Sequence, residues 1–169
     1  MLAILARNLR IAITRLLCLL TGRCPLTTVI LLRHADIDLP PATTDEPLNA
    51  AGRARAEDLA RVLGDAGVGV IYTSTFRRTQ QTAAPLADHI GVAPQVSTAI
   101  PVDLAASILD RDRGRTVVVV GHSNTVPQTI AVLGANWNGT ISEADFDNLF
   151  WITVPVIAGA RVHHLHYGA

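Results

Sequence analysis

Three short apolar runs set the rhythm of the chain. Val29-Ile30-Leu31-Leu32, Val68 to Thr73 and Thr116 to Val120 are each bounded by polar or Gly-containing stretches. Runs of this length and type read as buried strands, and the β-branched third one reads as a parallel strand covered on both faces. Between them the period changes. Ala56, Leu59, Ala60 and Leu63 form an apolar stripe at helical spacing, with Asn49 placed to cap a helix from Ala50 and with Gly64 and Gly67 to end it. Arg53 and Glu57 are spaced to pair along its exposed side. Alternating strands and helices predict an α/β fold with a mostly parallel central sheet and helices on both faces, a three-layer sandwich.

Other elements follow from caps and breakers. Ser74 is expected to cap a helix that carries Arg77 and Arg78 in its first turn and is kinked or ended by Pro85. Gln95 to Ser97 allows a short strand. Asp103 opens a helical run to Leu109, and Asp110 to Arg115 reads as a solvated turn. Asn124 or Thr125 caps a helix with Pro127 in its first turn, running to about Leu133. Ile141 to Asp147 reads as a short acidic helix. Leu149 to Val154 and Arg161 to Tyr167 read as final strands.

Composition changes this picture at one end only. The chain of 169 residues is 49% hydrophobic and 17% charged, which excludes disorder, and its zero net charge gives no global field to recruit nucleic acid. The charge is unevenly placed. Arg7, Arg10, Arg15 and Arg23 precede Cys24 with no acid among them, while the rest carries ten arginines against fourteen acids, a net −4. Residues 1–25 are therefore read as a leader and residues 26–169 as the folded domain. Wound as a helix, the leader gathers Arg7, Arg10 and Thr14, flanked by Asn8 and Arg15, opposite Leu5, Leu9, Ala12, Leu16 and Leu20. Residues 1–20 are a basic amphipathic stretch of the kind that lies on an anionic membrane. Membrane association or export is the expected localisation; a cytoplasmic domain with an ordinary docked helix is the alternative. Thr21 to Pro25 would be a linker. Cys18 and Cys24 both lie in the leader, so no disulfide framework is expected for the domain.

The chemistry collects where the strands end. The first run delivers Arg33 and His34, the second Ser74 and then Arg78, the third His122. In an open α/β sheet, ligands gather beyond the carboxyl ends of the strands. A guanidinium is a permanently charged fork suited to phosphate, and an imidazole beside it can serve as nucleophile, base or acid near neutral pH. Two His and two Arg around one cleft make a site for a phosphate dianion.

These residues carry a resemblance. Leu-Arg-His-Ala from Leu32, Thr-Ser-Thr-Phe-Arg-Arg-Thr-Gln-Gln-Thr-Ala from Thr73 and Val-Gly-His-Ser-Asn from Val120 resemble, in order, the motifs of the histidine phosphatase superfamily, over roughly Thr27 to Tyr167. The resemblance implies the phosphoglycerate-mutase-like fold and, for so short a form, the small single-domain phosphatases that include bacterial phosphohistidine phosphatases. It implies that His34 is phosphorylated, that Arg33, Arg78 and His122 hold the phosphoryl oxygens, and that no metal or other cofactor is needed. Arg78 is taken rather than Arg77 because the family's arginine lies four residues beyond the serine that Ser74 matches. Arg-His-Ala stands where Arg-His-Gly is usual. Ser123 can add a contact. Asp103 is one candidate general acid, because the family draws its carboxylate from the stretch between the arginine helix and the second histidine; Asp36 is the other. The implied partner is a phosphorylated small molecule or phosphoprotein. Oligomeric state is open.

Four other readings compete. Transfer of the phosphoryl group to a second hydroxyl, as in a mutase, needs longer covering segments than the loops here provide. A serine hydrolase would use Ser123 in Gly-His-Ser-Asn-Thr with Asp145 or Asp147 and His163, but the final Gly of the nucleophile elbow is missing. A phosphate-binding module without turnover would not need two His and two Arg. A metal held by His163, His164 and His166 has no further ligand pattern behind it.

Overall fold

The computed structural model describes residues 2–22, 24–98 and 100–168; the side chains of residues 2–5, 7, 8 and 10 lie outside that description. Helix α1 (Leu2–Thr21) precedes strand β1 (Leu26–Arg33), α2 (Ala50–Leu63), β2 (Val68–Thr73), α3 (Arg77–Ile90), β3 (Gln95–Val96), α4 (Pro101–Arg111), β4 (Thr116–Gly121), α5 (Thr125–Val132), β5 (Asn148–Pro155) and β6 (Arg161–His166). The strands form one six-stranded sheet in the order β3-β2-β4-β1-β5-β6. Pairings from β3 to β1 are parallel, and β5 and β6 add antiparallel strands at one side.

The period of two along each strand divides the core into two layers. Val29, Leu31, Val117 and Val119 pack with Ala105, Ile108 and Ile130, and so with α4 and α5. Ile30, Leu32, Val118 and Val120 pack with Leu59, Leu63 and Leu86 beneath α2 and α3. This is the expected three-layer α/β sandwich. Asn49 caps α2 as expected, its side chain accepting from the Gly52 N–H at 2.9 Å. Arg53, however, donates to the Leu48 carbonyl at 2.8 Å in place of the expected Glu57 pair.

Five local expectations are corrected. Helix α3 passes through Pro85 and reaches Ile90; the burial of Ala83, Leu86 and Ala87 on either side of it outweighs one missing backbone bond. Ser74 does not cap α3, whose N-cap is Phe76. Helix α4 begins at Pro101, two residues before Asp103, and runs past Leu109 to Arg111. Asp112 is buried within the supposed solvated turn, because its carboxylate accepts from the Tyr72 hydroxyl at 3.0 Å and from Arg115 at 3.1 Å. Residues 141–147 form a loop without helix, for a reason that belongs to the site.

The leader is helical, as expected. It ends in a disulfide between Cys18 and Cys24, a local loop that ties α1 to the start of β1. Cys18 is buried, and Arg15 Nε donates to the Val156 carbonyl at 3.3 Å. Arg23 and the side chains of Leu5, Arg7, Asn8 and Arg10 lie outside the described residues.

Candidate active site

Strand register brings the two histidines together. Parallel β1 and β4 pair Arg33 with Gly121, so His34 and His122 leave the sheet side by side. The His34 N–H donates to the Gly121 carbonyl at 2.9 Å, and the two imidazole centroids are 5.4 Å apart at 64°. Strand β2 pairs Thr73 with Val120, which sets Ser74 beside the same tip. The Ser74 hydroxyl lies 3.0 Å from His122 Nε2, and that contact replaces the expected cap.

His34 is 3% exposed. Its Nδ1 lies 2.8 Å from the Ala35 carbonyl, which can only accept. The proton of the neutral ring therefore sits on Nδ1, and Nε2 keeps its lone pair. Burial, with the nearby Arg33, His122 and Arg78, pushes His34 down to about 3, against the pull of the Ala35 carbonyl. Burial and the same two arginines push His122 down to about 4. Both rings are neutral at pH 7. Behind His34 the Ala35 N–H donates to the Thr82 hydroxyl at 2.9 Å, tying the loop to α3.

The guanidiniums are held differently. Arg33 is 1% exposed and is gripped by the loop after α5. Its Nη1 donates to the carbonyls of Ser142 at 2.7 Å and Asp145 at 3.1 Å, and its Nη2 to Glu143 Oε2 at 2.9 Å. The ring of Phe146 lies 4.2 Å beneath it. The Ser142 carbonyl also accepts from the Asp145 N–H at 3.0 Å, and Ile141 and Phe146 are buried in two separate clusters, so these residues turn between two packing sites as a loop around Arg33. Arg78 lies over the Phe76 ring at 4.2 Å and donates to the Thr44 carbonyl at 3.0 Å. Burial lowers the pKa of both guanidiniums, and both remain cations at pH 7. The Nε atoms of Arg33 and of Arg78 are buried without a hydrogen-bond acceptor. Arg77 points away and pairs with Asp45 on the surface.

A cleft of about 1000 Å³ opens at this point, and Arg33, His34, Arg78, His122, Ser123 and Glu143 line it. Ile37, Leu39, Pro40 and Pro41 give it one apolar wall. Five residues expected to serve the site are thus brought together: Arg33, His34, Arg78, His122 and Ser123. Two are not. Asp36 turns back to an ion pair with Arg55 at 2.7 Å. Asp103 stands exposed in the first turn of α4, outside the cleft lining. The residue missed from sequence is Glu143, the one carboxylate among the described residues that line the cleft. Its Oε2 accepts from Arg33, and its Oε1 accepts from the Ser123 hydroxyl at 2.5 Å.

No serine triad assembles. Ser123 follows β4, His163 lies on β6 with β1 and β5 between them, and Asp147 pairs with His166 at 3.0 Å. In the C-terminal histidine group His164 instead stacks on Phe150 and contacts Asn148 at 2.7 Å. Among the described residues no cluster of His, Cys, Asp or Glu has the arrangement of a metal site.

The model of the histidine phosphatase superfamily (branch 1) matches residues 29–100, the stretch that holds Arg33, His34 and Arg78. No curated protein sequence matches this one. Among solved structures, the protein histidine phosphatase SixA complexed with tungstate is similar at 18% identity and TM-score 0.66, over 82% of this chain and 96% of that one. The mycobacterial glucosyl-3-phosphoglycerate phosphatase is similar at 18% identity and TM-score 0.63, over 85% of this chain and 99% of that one. "Mycobacterial hydrolase 1" is similar at 18% identity and TM-score 0.65, over 85% and 99%. The family model covers the first two of the three motifs, and the fold is shared with these solved structures.

Proposed function

We propose that this histidine-phosphatase-like chain hydrolyses phosphoryl groups through a phosphohistidine on His34, and that phosphoramidates suit it better than stable alkyl monoesters. The observation that carries the reading is that Arg33, Arg78 and His122 line one cleft with His34, whose Nε2 keeps its lone pair. An oxyanion in that cleft would be held by two permanent cations. Similar folds have been solved with tungstate, in SixA, and with inorganic phosphate, in the mycobacterial phosphatase.

The steps balance as follows. Substrate phosphate seats against Arg33, Arg78 and His122. The His34 Nε2 lone pair forms a bond to phosphorus while the bond from phosphorus to the leaving nitrogen or oxygen breaks. The guanidiniums stabilise the equatorial charge, which is the dominant demand of phosphoryl transfer. The leaving group takes its proton from water. A second water then attacks phosphorus, the P–Nε2 bond breaks, and inorganic phosphate and neutral His34 are restored.

The preference for phosphoramidates rests on the carboxylates. Asp36 is held by Arg55, Asp103 is outside the cleft, and both oxygens of Glu143 already accept hydrogen bonds. A positioned general acid contributes about 10²–10⁴-fold for a poor leaving group. A nitrogen leaving group such as imidazole, readily protonated, does without one. The apolar wall of Ile37, Leu39 and Pro40 suits the body of a larger substrate, a protein side chain included.

The test is labelling with a ³²P-phosphoramidate donor, quenched at neutral pH and then acid-treated. Acid-labile label on the intact chain that disappears in His34→Ala, together with loss of turnover, is the expected result. Label of equal stoichiometry in His34→Ala rejects the nucleophile. Binding of phosphate without any turnover would make the chain a phosphate-binding module.

A further inference from the structure

The side of α1 turned to solvent is apolar. Leu9, Ile13, Leu16, Leu17 and Leu20 recur at helical steps along one face and are between 48% and 72% exposed. The opposite side faces the domain. Cys18 on that side is 2% exposed and bridged to Cys24, and Arg15 Nε bonds to the Val156 carbonyl. A helix packed for a water-soluble surface shows the reverse arrangement, with its apolar stripe inward. Five large side chains in one stripe exceed the scattered exposed residues of an ordinary surface.

We propose that this face lies in the interface of an anionic lipid bilayer and holds the phosphatase-like domain against it. The charge of this segment favours an anionic surface. The segment before Cys24 carries four arginines and no acid. Anionic headgroups attract them, each basic residue near such a surface contributing favourably. The geometry is that of a helix lying flat. Twenty residues give a cylinder about 30 Å long at 1.5 Å per residue. No helix among the described residues is long and apolar enough to cross a membrane. The buried Cys18 and the Arg15 bond set the C-terminal half of α1 against the domain, so its apolar face is free to meet the headgroup boundary sideways.

The test uses the full chain and does not depend on the catalytic reading. Co-sedimentation is measured with phosphatidylcholine vesicles and with vesicles that also contain phosphatidylglycerol. The wild type is expected to partition at least about tenfold more strongly to the anionic vesicles, with binding falling as salt rises. Leu16→Glu/Leu20→Glu is expected to lose that binding while keeping its circular dichroism spectrum and its thermal unfolding midpoint. Leu16→Gln/Leu20→Gln, which adds no charge, is expected to fall between the two. Equal partition to both vesicle types, or full binding by either double variant, overturns the proposal. So does a dimer, seen by sedimentation velocity, that Leu16→Glu/Leu20→Glu dissociates.

Discussion

The strand tips and the loop over residues 141–147 hold the two halves of one site by opposite means. At the tips, backbone register places the chemistry: Arg33 pairs with Gly121, and two imidazoles emerge as neighbours. In the loop, side-chain demand shapes the backbone: Ser142 and Asp145 turn their carbonyls to a buried guanidinium. Position at the tips is guaranteed by a sheet that would form without the site. The loop's conformation leans on side chains outside it, Arg33 foremost, with Ser123 and His166 adding contacts. Substitutions at the tips should therefore cost activity with little change in shape, whereas loss of Arg33 should cost both.

Arg33→Met tests that contrast with the largest expected effect. Methionine keeps much of the buried volume and removes every donor. Turnover of a phosphoramidate should fall about a thousandfold or more, since an electrostatic contact to the developing charge is lost. The carbonyls of Ser142 and Asp145 lose their donor, and Glu143 loses its ion partner. Hydrogen exchange should speed up through residues 141–147 and stay protected in β1 and β4. A variant that loses activity with the loop still protected would show that the loop folds on its own account.

The same contrast explains what could be read from the chain alone. His34, Arg33, Arg78 and His122 each follow an apolar run within a few residues, so strand pattern and motif located them together. Arg77 and Arg78 are adjacent, and only the spacing from Ser74 separated the cleft residue from the surface one. Glu143 had no such signature. Ile141 to Asp147 contains neither Gly nor Pro and is acidic, and local propensity favoured a helix. What overrode propensity was long-range packing: Ile141 and Phe146 are buried in separate clusters, around a guanidinium more than a hundred residues earlier. Asp103 and Asp36 lie outside the cleft lining for a related reason. Chain order placed them near the right elements, but a helix face and an ion pair with Arg55 turned them elsewhere. Asp112 was read as solvent-facing because its neighbours are charged, whereas Tyr72 and Arg115 hold it inside.

An effect of intermediate size concerns protonation at the tips. His34 and His122 are pushed down to about 3 and about 4 from an ordinary 6.5. The unfolded chain thus binds more protons than the folded one in this range. Stability is complete above about pH 6.5 and falls as pH drops toward 4 and then 3. Denaturant titrations from pH 7 to pH 4 should show the midpoint declining, and His122→Asn should flatten part of that slope. Imidazole ¹⁵N spectra at pH 6 should show His34 neutral with its proton on Nδ1. A His34 ring that titrates near 6.5 would mean that the tips are far wetter than the fold implies.

Glu143→Gln should give the smallest change, and its sign is the informative part. The amide keeps the shape and can still accept from Ser123, but it removes a negative charge beside the proposed phosphate seat. If Glu143 only steadies Arg33, an incoming dianion no longer competes with a carboxylate for that guanidinium. KM for a phosphoramidate should then fall by about fivefold, the scale of one modest ion pair given that Glu143 is largely exposed. kcat for the phosphoramidate should stay level. If Glu143 instead delivers the leaving-group proton, kcat should collapse for an alkyl phosphate and remain unchanged for the phosphoramidate, because only the poor leaving group requires that proton. The ratio of the two kcat values therefore distinguishes a loop that merely braces the strand tips from one that joins in the chemistry.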